Sequence, residues 1–322
     1  MSGFRVVAIG GGTGLAVLLR GLKLHVGEAV SELTAVVTVS DDGGSSGRLR
    51  RDFGVPPPGD IRNCIAAIAD DEALLSRLFQ YRFVGGEGLA GHSFGNLLLT
   101  ALTGITGDFY QAILTAESIL TVRGRILPAT LTDVRLSATG ESGEVYRGES
   151  AIGASGEPIE MLTMEPAAAV AFPAAVQAIE EADLILLGPG SLYTSIVPNF
   201  LIPGIRRAVL ASSGLKVLLL NLMTQPGETD GMDGVAHYRA VSRYLGGEVI
   251  DRVLVHRGTL TDRRLAPYAD QGARPVAAAD GVDFGAAERV ERDLLAAEDL
   301  IRHDPIKLAG AALEMLSSER NE

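Results

Sequence analysis

The chain has 322 residues and a single cysteine, so it can bury a core of ordinary size without a disulfide or a structural zinc. Its formal net charge of −12 and pI near 5.0 argue against nucleic acid or anionic lipid as a partner, so a phosphate-bearing ligand needs a local positive site. No apolar run is long enough to span a membrane and Met1 to Gly10 lacks a signal-peptide pattern, so we expect a cytoplasmic protein without a membrane span.

The first part of the chain predicts a strand, a tight turn and a helix. Phe4 to Ile9 is a short apolar run that ends at glycines, and leucines then recur at helical spacing from Leu15 to Leu22. Leu33 to Val39 predicts a second strand, and the stretch from Asp60 to Val122 is mostly helical in pattern. Residues 125–163 then alternate polar and apolar side chains between glycine-rich breaks, which predicts a small antiparallel β insertion.

Two later runs, Leu184 to Leu187 and Val217 to Leu220, are apolar throughout, which predicts strands whose two sides are both covered. Helices are predicted at residues 286–297 and 305–316. We therefore predict one α/β domain over residues 1–322, with a doubly wound, mostly parallel, Rossmann-like sheet that carries helical segments and the small β insertion.

A glycine-rich turn, Gly10 to Leu15, follows the first predicted strand. Glycines let backbone N–H groups approach a phosphate closely, and the N-terminus of the following helix adds partial positive charge. The spacing departs from the dinucleotide fingerprint, because Leu15 stands where the third glycine belongs. Gly11, Gly12, Thr13 and Gly14 are thus candidate phosphate-binding residues, and a tight turn without a ligand is the alternative.

The segment after the second predicted strand, Ser40 to Arg51, combines glycines and serines with charged side chains. Such a segment can form an anion-binding nest, its arginines can pair phosphate oxygens, and its aspartates can bind Mg²⁺ or ribose; a solvated loop is the alternative. The candidates here are Asp41, Asp42, Ser45, Ser46 and Arg48. Asp60 follows a proline run at a helix start, where it either caps the helix or, with Asp41 and Asp42, faces a metal or ligand.

Gly91 to Gly95 fits the G-x-S-x-G pattern of a hydrolase nucleophile elbow, and Asp183 and His237 follow in the chain order of a triad. An elbow needs a strand directly before the serine, whereas a glycine-rich loop precedes Ser93. We therefore predict that Ser93 caps a helix.

Polar loops follow the two later predicted strands, at the edge of the sheet where open α/β folds bind ligands. Gly188 to Ser195 supplies glycines and hydroxyl groups, and Asn221 to Thr229 supplies amide, hydroxyl and carboxylate groups. Near the C-terminus, Asp304 and Pro305 together predict a helix start, which leaves Arg302 and His303 free to face a diphosphate, although the spacing alone favours a segment without a ligand.

These turns together resemble the YvcK-like family of gluconeogenesis factors, within the wider CofD-like superfamily of 2-phospho-L-lactate transferases. The resemblance runs from Phe4 to about Ala309. Its most specific pieces are Gly10 to Leu15, Ser40 to Arg51, Pro57 to Asn63, Gly91 to Leu97, Gly188 to Pro198 and Met223 to Asp230.

The resemblance implies a Rossmann-like core that binds a UDP-sugar, typically UDP-N-acetylglucosamine, in a regulator of cell shape, cell-wall precursor supply and gluconeogenic growth. Cell-wall regulatory partners and a homo-oligomer are also expected. The residues expected to bind the ligand are Gly11, Gly12, Thr13, Gly14, Asp41, Asp42, Ser45, Ser46, Arg48, Asp60, Asn63, His92, Ser93, Asn96, Gly188, Gly190, Ser191, Thr194, Ser195, Asn199, Asn221, Thr224 and Arg302.

Two alternatives stay open. The transferase branch moves a phospholactyl-type group from a guanylylated donor to a deazaflavin precursor with Mg²⁺, for which Asp41, Asp42 and Asp60 would be the metal carboxylates. The segments Ser40 to Arg51 and Gly91 to Asn96 match the YvcK-like pattern instead. NAD is the third expectation, because Asp41 follows the second strand where an acidic residue can take ribose hydroxyls. Pro305 stands where a family phosphorylation site can follow, so no such control is predicted.

Overall fold

The computed structural model describes residues 3–70, 74–276 and 283–319. In these ranges the chain forms two sheets, a parallel one of seven strands and an antiparallel one of three. The strands are β1 (Phe4–Gly10), β2 (Val30–Val37), β3 (Arg125–Pro128), β4 (Arg135–Gly140), β5 (Val145–Arg147), β6 (Ile159–Glu165), β7 (Leu184–Leu187), β8 (Leu215–Leu219), β9 (Arg252–His256) and β10 (Glu288–Arg292).

Helices connect the strands and flank the larger sheet. In the described ranges they are α1 (Gly12–Leu22), α2 (Gly44–Phe53), α3 (Gly59–Ile68), α4 (Leu74–Gln80), α5 (Phe94–Thr106), α6 (Phe109–Leu120), α7 (Glu149–Gly153), α8 (Pro173–Glu180), α9 (Val197–Leu201), α10 (Pro203–Ala211), α11 (Gly234–Leu245), α12 (Asp262–Ala269) and α13 (Pro305–Glu319). None of the helices in these ranges has the length and apolar character that a membrane span requires.

The central strands are buried on both sides of the sheet. Four consecutive residues of β1, from Val6 to Ile9, are each at most 2% exposed, although neighbouring residues of a strand point to opposite sides. All four residues of β7 are buried as well. The uniformly apolar runs therefore predicted the strands of a doubly wound parallel sheet correctly.

The order in which strands are added to the sheet reverses at β1: β2 and β3 lie on one side of it, and β7 to β10 lie on the other. The strand order is β10-β9-β8-β7-β1-β2-β3, so β1 lies between β2, the next strand along the chain, and β7, which comes much later. In an open α/β sheet a crevice forms where the order reverses, outside the carboxyl ends of the strands. The fold thus places the turns after β1 and β7 side by side.

The antiparallel insertion begins later than the sequence predicted. Residues 125–128 form β3, which pairs in parallel with β2 and belongs to the central sheet. The small sheet has the order β5-β4-β6 and spans residues 135–165. The apolar pair Ile126 and Leu127, buried to 0% and 1% exposure, explains why this short strand joins the core.

The predicted helix at 286–297 is wrong, because Glu288–Arg292 forms β10, an edge strand paired in parallel with β9. Its spacing of apolar residues also fits a helix, and pairing along β9 overrides that local preference. The second strand likewise runs from Val30 to Val37, earlier than the predicted 33–39. The last helix, α13, begins at Pro305 as predicted, with Asp304 accepting hydrogen bonds from the N–H groups of Ile306 and Lys307.

Candidate functional site

A cleft of about 590 Å³ opens at the carboxyl ends of the strands where the strand order reverses. We call it the switch-point cleft. Its lining residues are Gly11, Gly12, Thr13, Gly14, Val17, Arg20, Glu149, Pro189, Gly190, Ser191, Ser195, Asn221, Leu222, Met223, Gln225, Tyr268, Ile301, Arg302 and His303. The structure therefore brings the turns after β1, β7 and β8 together with the segment before α13.

The two glycine-bearing turns pack directly against each other in this cleft. A Cβ atom on Gly14 would lie 2.4 Å from the carbonyl oxygen of Pro189 and 3.0 Å from the Cα of Gly190. Gly12 has φ of +64°, a conformation that side chains other than glycine's disfavour. Glycine is therefore needed at position 14 because the two turns pack so closely, and at position 12 because of the backbone conformation.

The N-terminus of α1 faces the cleft without a side-chain cap. Gly11 is the N-cap residue, and it has no side chain that could accept a hydrogen bond from the first turn. The first N–H groups of any helix lack intrahelical acceptors. Thr13 and Gly14, in this first turn, line the cleft, and the N-terminus of a helix is a common phosphate-binding position.

A carboxyl group lies beneath this turn. Oδ2 of Asp60 is 2.6 Å from where a Cβ on Gly11 would lie, so glycine is required there as well. Burial, together with the nearby charge of Asp41, raises the pKa of Asp60 to about 7, although contact with the N–H of Gly12 offsets part of the rise. Asp60 lies at the second residue of α3, whose N-cap is Pro58, so the capping alternative for Asp60 is wrong.

A second carboxyl group, that of Glu149, forms part of the cleft wall. Burial raises the pKa of Glu149 to about 9, helped by the charges of Asp60, Asp41, Asp42 and Glu228. Its Oε2 atom is buried and has no hydrogen-bond partner in the described part of the chain. Glu149 is therefore largely protonated at neutral pH and can donate a hydrogen bond to an acceptor in the cleft.

Two side chains fix the loops that follow β7 and β8. Asn221 accepts a hydrogen bond from the N–H of Gly190 at 3.1 Å and donates one to its carbonyl oxygen at 2.7 Å. Oε1 of Glu228 accepts hydrogen bonds from the N–H groups of Tyr193 at 2.6 Å and Thr194 at 3.0 Å. These contacts hold the π-helical turn at residues 192–196 against the loop after β8, and so position Ser195 beside the cleft.

Positive charge is available at the rim of the cleft. Arg20 and Arg302 both line the cleft and both are exposed. His303 stands beside Arg302, but burial and the nearby His256 lower the pKa of His303 to about 4. At neutral pH the cationic groups of this wall are therefore the two arginines.

Four predicted site residues form a buried network away from the cleft. The Ser45 hydroxyl lies 2.9 Å from Nδ1 of His92 and accepts a hydrogen bond from Nδ2 of Asn96 at 3.1 Å. Ser93 caps α5 by accepting from the N–H of Asn96 at 3.2 Å, as predicted. The network joins α2 to α5. Ser93, the serine of the hydrolase-like pattern, belongs to this network and does not follow a strand as the serine of a nucleophile elbow does.

The two aspartates of the loop after β2 bond to different parts of the chain. Asp41 accepts a hydrogen bond from the N–H of Gly43 at 2.8 Å, whereas Asp42 accepts one from the N–H of Ser150 at 2.9 Å. In the described ranges, no three His, Cys, Asp or Glu side chains are grouped so that they could hold a metal ion. The magnesium assignment to Asp41, Asp42 and Asp60 thus remains a prediction.

The other predicted residues do not line the cleft. Arg48 donates to the carbonyl oxygen of Ala90 at 2.9 Å. Asn199 is fully buried and donates to the carbonyl oxygen of Ser195 at 2.9 Å, while Thr224 accepts from the N–H of Arg274 at 2.9 Å. The remaining ones are Ser46, which is buried, Asn63, within α3, and Gly188, just before the turn after β7.

Several lining residues were missing from the predicted set. Glu149 lies in the β insertion and reaches the cleft only through tertiary packing, so no local pattern could indicate it. Gln225 belongs to the polar loop after β8 that the sequence singled out, and the loop position was the signal. Arg20 and Tyr268 lie on helix surfaces and carry no sequence signal of their own.

Comparison with known proteins agrees with this geometry. The family model described as 2-phospho-L-lactate transferase CofD matches residues 6–297. The chain belongs to the CofD family. Within that family it is similar to proteins named gluconeogenesis factor. The Bacillus subtilis protein of that name is 44% identical over 320 residues, which cover 97% of this chain and 98% of the relative.

Two further relatives extend this likeness. A Nostoc relative, also named as a gluconeogenesis factor, is 48% identical over 320 residues, which cover 97% of this chain and 68% of the relative. An X-ray crystal structure of a Bacillus halodurans protein superimposes with a TM-score of 0.92 at 43% identity, covering 97% of this chain and 99% of that one. The fold of this CofD-family chain is therefore that of solved members.

Proposed function

We propose that this CofD-family protein binds a UDP-sugar of the UDP-N-acetylglucosamine type in the switch-point cleft and acts as a regulator rather than as a catalyst. One observation carries the proposal. The turn at Gly11–Gly14 and the turn at Pro189–Ser191 meet at the reversal of strand order, beside the N-terminus of α1, whose N-cap residue Gly11 supplies no capping side chain. That arrangement favours a pyrophosphate group.

Each part of such a ligand has a suitable counterpart in the cleft. In this proposal the diphosphate binds the N–H groups of Thr13 and Gly14, and the guanidinium group of Arg302, which lines the same cleft, pairs with its oxygens. The protonated carboxyl group of Glu149 can donate to a phosphate oxygen, whereas an ionised one would repel it. The volume of about 590 Å³ is in the range of small-molecule sites.

The regulatory part of the proposal follows from the relatives. They are named for gluconeogenesis rather than for a reaction. We assign the protein the same class of role in the cytoplasm, in which ligand occupancy would report nucleotide-sugar supply to partners that control cell shape and growth on gluconeogenic carbon sources.

Isothermal titration calorimetry tests the proposal. UDP-N-acetylglucosamine is titrated into the protein and compared with UDP, GTP, NAD and buffer. We expect saturable heat with the UDP-sugar and an affinity about tenfold lower in Arg302→Gln, because one charge-assisted contact is lost. Arg206→Gln removes an exposed arginine on α10, outside the cleft lining, and is the matched control.

Heat with no UDP-sugar would reject the proposal, and saturable heat with NAD alone would replace it by the dinucleotide alternative. Equal loss of affinity in Arg302→Gln and Arg206→Gln would show that the ligand lies outside the switch-point cleft.

A second candidate is a Mg²⁺-dependent transferase, which the family model favours by its name. Asp41 and Asp60 lie close enough for the charge of Asp41 to raise the pKa of Asp60, so these carboxylates could share a cation that a bound phosphate helps to hold. Turnover of a nucleotide-activated phospholactate by a deazaflavin-dependent assay, lost in Asp60→Asn, would support this candidate. No turnover at any Mg²⁺ concentration would reject it.

A further inference from the structure

A second cavity, of about 550 Å³, lies between α2 and the small antiparallel sheet. We call it the arginine-lined cavity, because Arg50, Arg51, Arg135 and Arg147 all line it. Of its lining residues, only Asp42 has been assigned to a function above. Four guanidinium groups around one cavity are unexpected in a chain whose net charge is −12.

One wall of the cavity is a single face of α2. Gly47, Arg50, Arg51 and the following Gly54 are spaced by three or four residues, so they lie on the same side of the helix. Nothing lies within 4 Å of where a Cβ atom on Gly54 would be, whereas Gly47 packs closely against the backbone of Asp42. The helix therefore places both arginines at one wall of the cavity.

The opposite wall is the polar side of the small sheet. Arg135 and Ser137 lie two residues apart on β4 and therefore point to the same side, and in the sheet register Ser137 is opposite Arg147 and Arg135 is opposite Glu165. The other side of β4 is part of the core, since Leu136 is 1% exposed and Ala138 is fully buried. The core thus fixes which side chains face the cavity.

Three of the four arginines that line the cavity make no ion pair in the described part of the chain. Arg50 is taken up by Asp133 and by the carbonyl oxygen of Val134. Within residues 3–70, 74–276 and 283–319, Arg51, Arg135 and Arg147 make no ion pair or side-chain hydrogen bond, and all three are exposed. Three carboxylates also line the cavity: Asp133, paired with Arg50; Asp42, which accepts from Ser150; and Glu165.

We propose that the arginine-lined cavity is a second ligand site, which binds a small, multiply charged anion carrying phosphate or carboxylate groups. Guanidinium groups bind both kinds of group through paired hydrogen bonds, and Ser137 and Ser150 supply hydroxyl groups at the same walls. The volume of about 550 Å³ admits a metabolite-sized anion. This proposal stands on residues that are outside the switch-point cleft and does not depend on UDP-sugar binding.

The two cavities are separate but adjacent. Gly148, Ser150 and Ala151 line the arginine-lined cavity, whereas Glu149, between them in the chain, lines the switch-point cleft. A small anion such as pyrophosphate could enter either cavity. The test therefore has to assign the binding to one of them.

Calorimetric titrations of inorganic pyrophosphate and of citrate into the full chain provide this test. The informative variant is Arg51→Gln/Arg135→Gln/Arg147→Gln, compared with Arg302→Gln in the switch-point cleft. Arg77→Gln/Arg206→Gln/Arg239→Gln removes three exposed helix-surface arginines outside both cavities and so matches the change in net charge. Because the three cavity arginines are exposed and unpaired, we expect the variant to keep the wild-type unfolding temperature.

We expect at least one of the two probes to bind, with an affinity about tenfold or more lower in the triple variant and unchanged in Arg302→Gln and in the control. Pyrophosphate binding alone would identify phosphate as the preferred group, and citrate binding alone would identify carboxylate. A loss confined to Arg302→Gln, an equal loss in the control, or no binding of either probe would overturn the proposal. If the protein binds an anion through the three cavity arginines but binds no UDP-sugar, only the proposed function is rejected.

Discussion

Asn221 binds Gly190 through both of its amide atoms, at 3.1 Å to the N–H and 2.7 Å to the carbonyl oxygen. The contact joins the loop after β8 to the turn after β7. It also means that the N–H of Gly190 is already engaged, so a phosphate in the cleft would rely on the first-turn N–H groups of Thr13 and Gly14. Gly190 therefore contributes by allowing the two turns to pack closely, and Asn221 contributes by holding the turn after β7 through two hydrogen bonds.

Removing this pairing should loosen the turn. Asn221→Ala leaves the N–H and the carbonyl oxygen of Gly190 without their partner, and we expect it to lower the free energy of unfolding by about 1–2 kcal/mol and to weaken ligand binding. Asn221→Asp keeps the acceptor and loses the donor, so its free energy of unfolding should lie between those of the wild type and Asn221→Ala. Urea unfolding followed by circular dichroism measures the order, and equal stability of all three proteins would contradict the role of Asn221.

The packing of the two turns predicts a large effect at Gly14. A Cβ at Gly14 would lie 2.4 Å from the carbonyl oxygen of Pro189, so Gly14→Ala should destabilise the protein by about 1–3 kcal/mol and remove any thermal shift caused by a UDP-sugar. Gly104 on α5 has nothing within 4 Å of such an atom. Gly104→Ala should therefore stabilise the protein by up to about 1 kcal/mol. Differential scanning calorimetry compares the two, and a Gly14→Ala protein as stable as wild type would be evidence against close contact of the turns.

Glu149 makes stability depend on pH. Its pKa is about 9 in the folded protein and near the ordinary value of 4.5 when unfolded, so between these values the folded chain keeps a proton that the unfolded chain releases. The free energy of unfolding then falls as pH rises through this window and is unaffected below it. Glu149→Gln cannot ionise and should be more stable than wild type by about 1–3 kcal/mol near pH 8.

The control for Glu149→Gln is the same measurement at low pH. Below about pH 4.5 both proteins carry a neutral group at this position, so the difference in unfolding free energy should vanish. A stability difference that stays constant from low to high pH would show that Glu149 is not protonated preferentially in the folded state.

Glu228 should act through its two hydrogen bonds rather than through its charge. Burial raises the pKa of Glu228 to about 7, although the N–H groups of Tyr193 and Thr194 offset part of the rise. Glu228→Gln keeps an oxygen acceptor and should change stability by less than about 1 kcal/mol, whereas Glu228→Ala leaves two N–H groups unsatisfied and should cost about 2–4 kcal/mol. Chemical denaturation distinguishes the two variants, and a larger loss in Glu228→Gln than in Glu228→Ala would be the contrary result.

The sequence predicted those parts of the fold that local patterns determine. Leu184 to Leu187 can be buried on both sides only within a covered sheet, and the glycines from Gly11 to Gly14 are followed at once by a helical pattern. Ser93 was predicted to cap α5 because a capping serine acts within its own turn. The turns that line the switch-point cleft were found for the same reason.

Features that depend on distant pairing could not be predicted in this way. Residues 288–292 form a strand only because β9 lies beside them, and Glu149, on α7 within the insertion, lines the switch-point cleft only through tertiary packing. Ser45, His92 and Asn96 have the residue types of a binding site, but their partners are one another. A polar side chain in a glycine-rich segment does not reveal whether it faces a cavity or the core.

A crystal structure of the protein soaked with UDP-N-acetylglucosamine measures the central claim directly. We expect the diphosphate within hydrogen-bond distance of the N–H groups of Thr13 and Gly14, with Arg302 at its rim side. A diphosphate bound in the arginine-lined cavity, or anywhere away from the N-terminus of α1, would contradict the account.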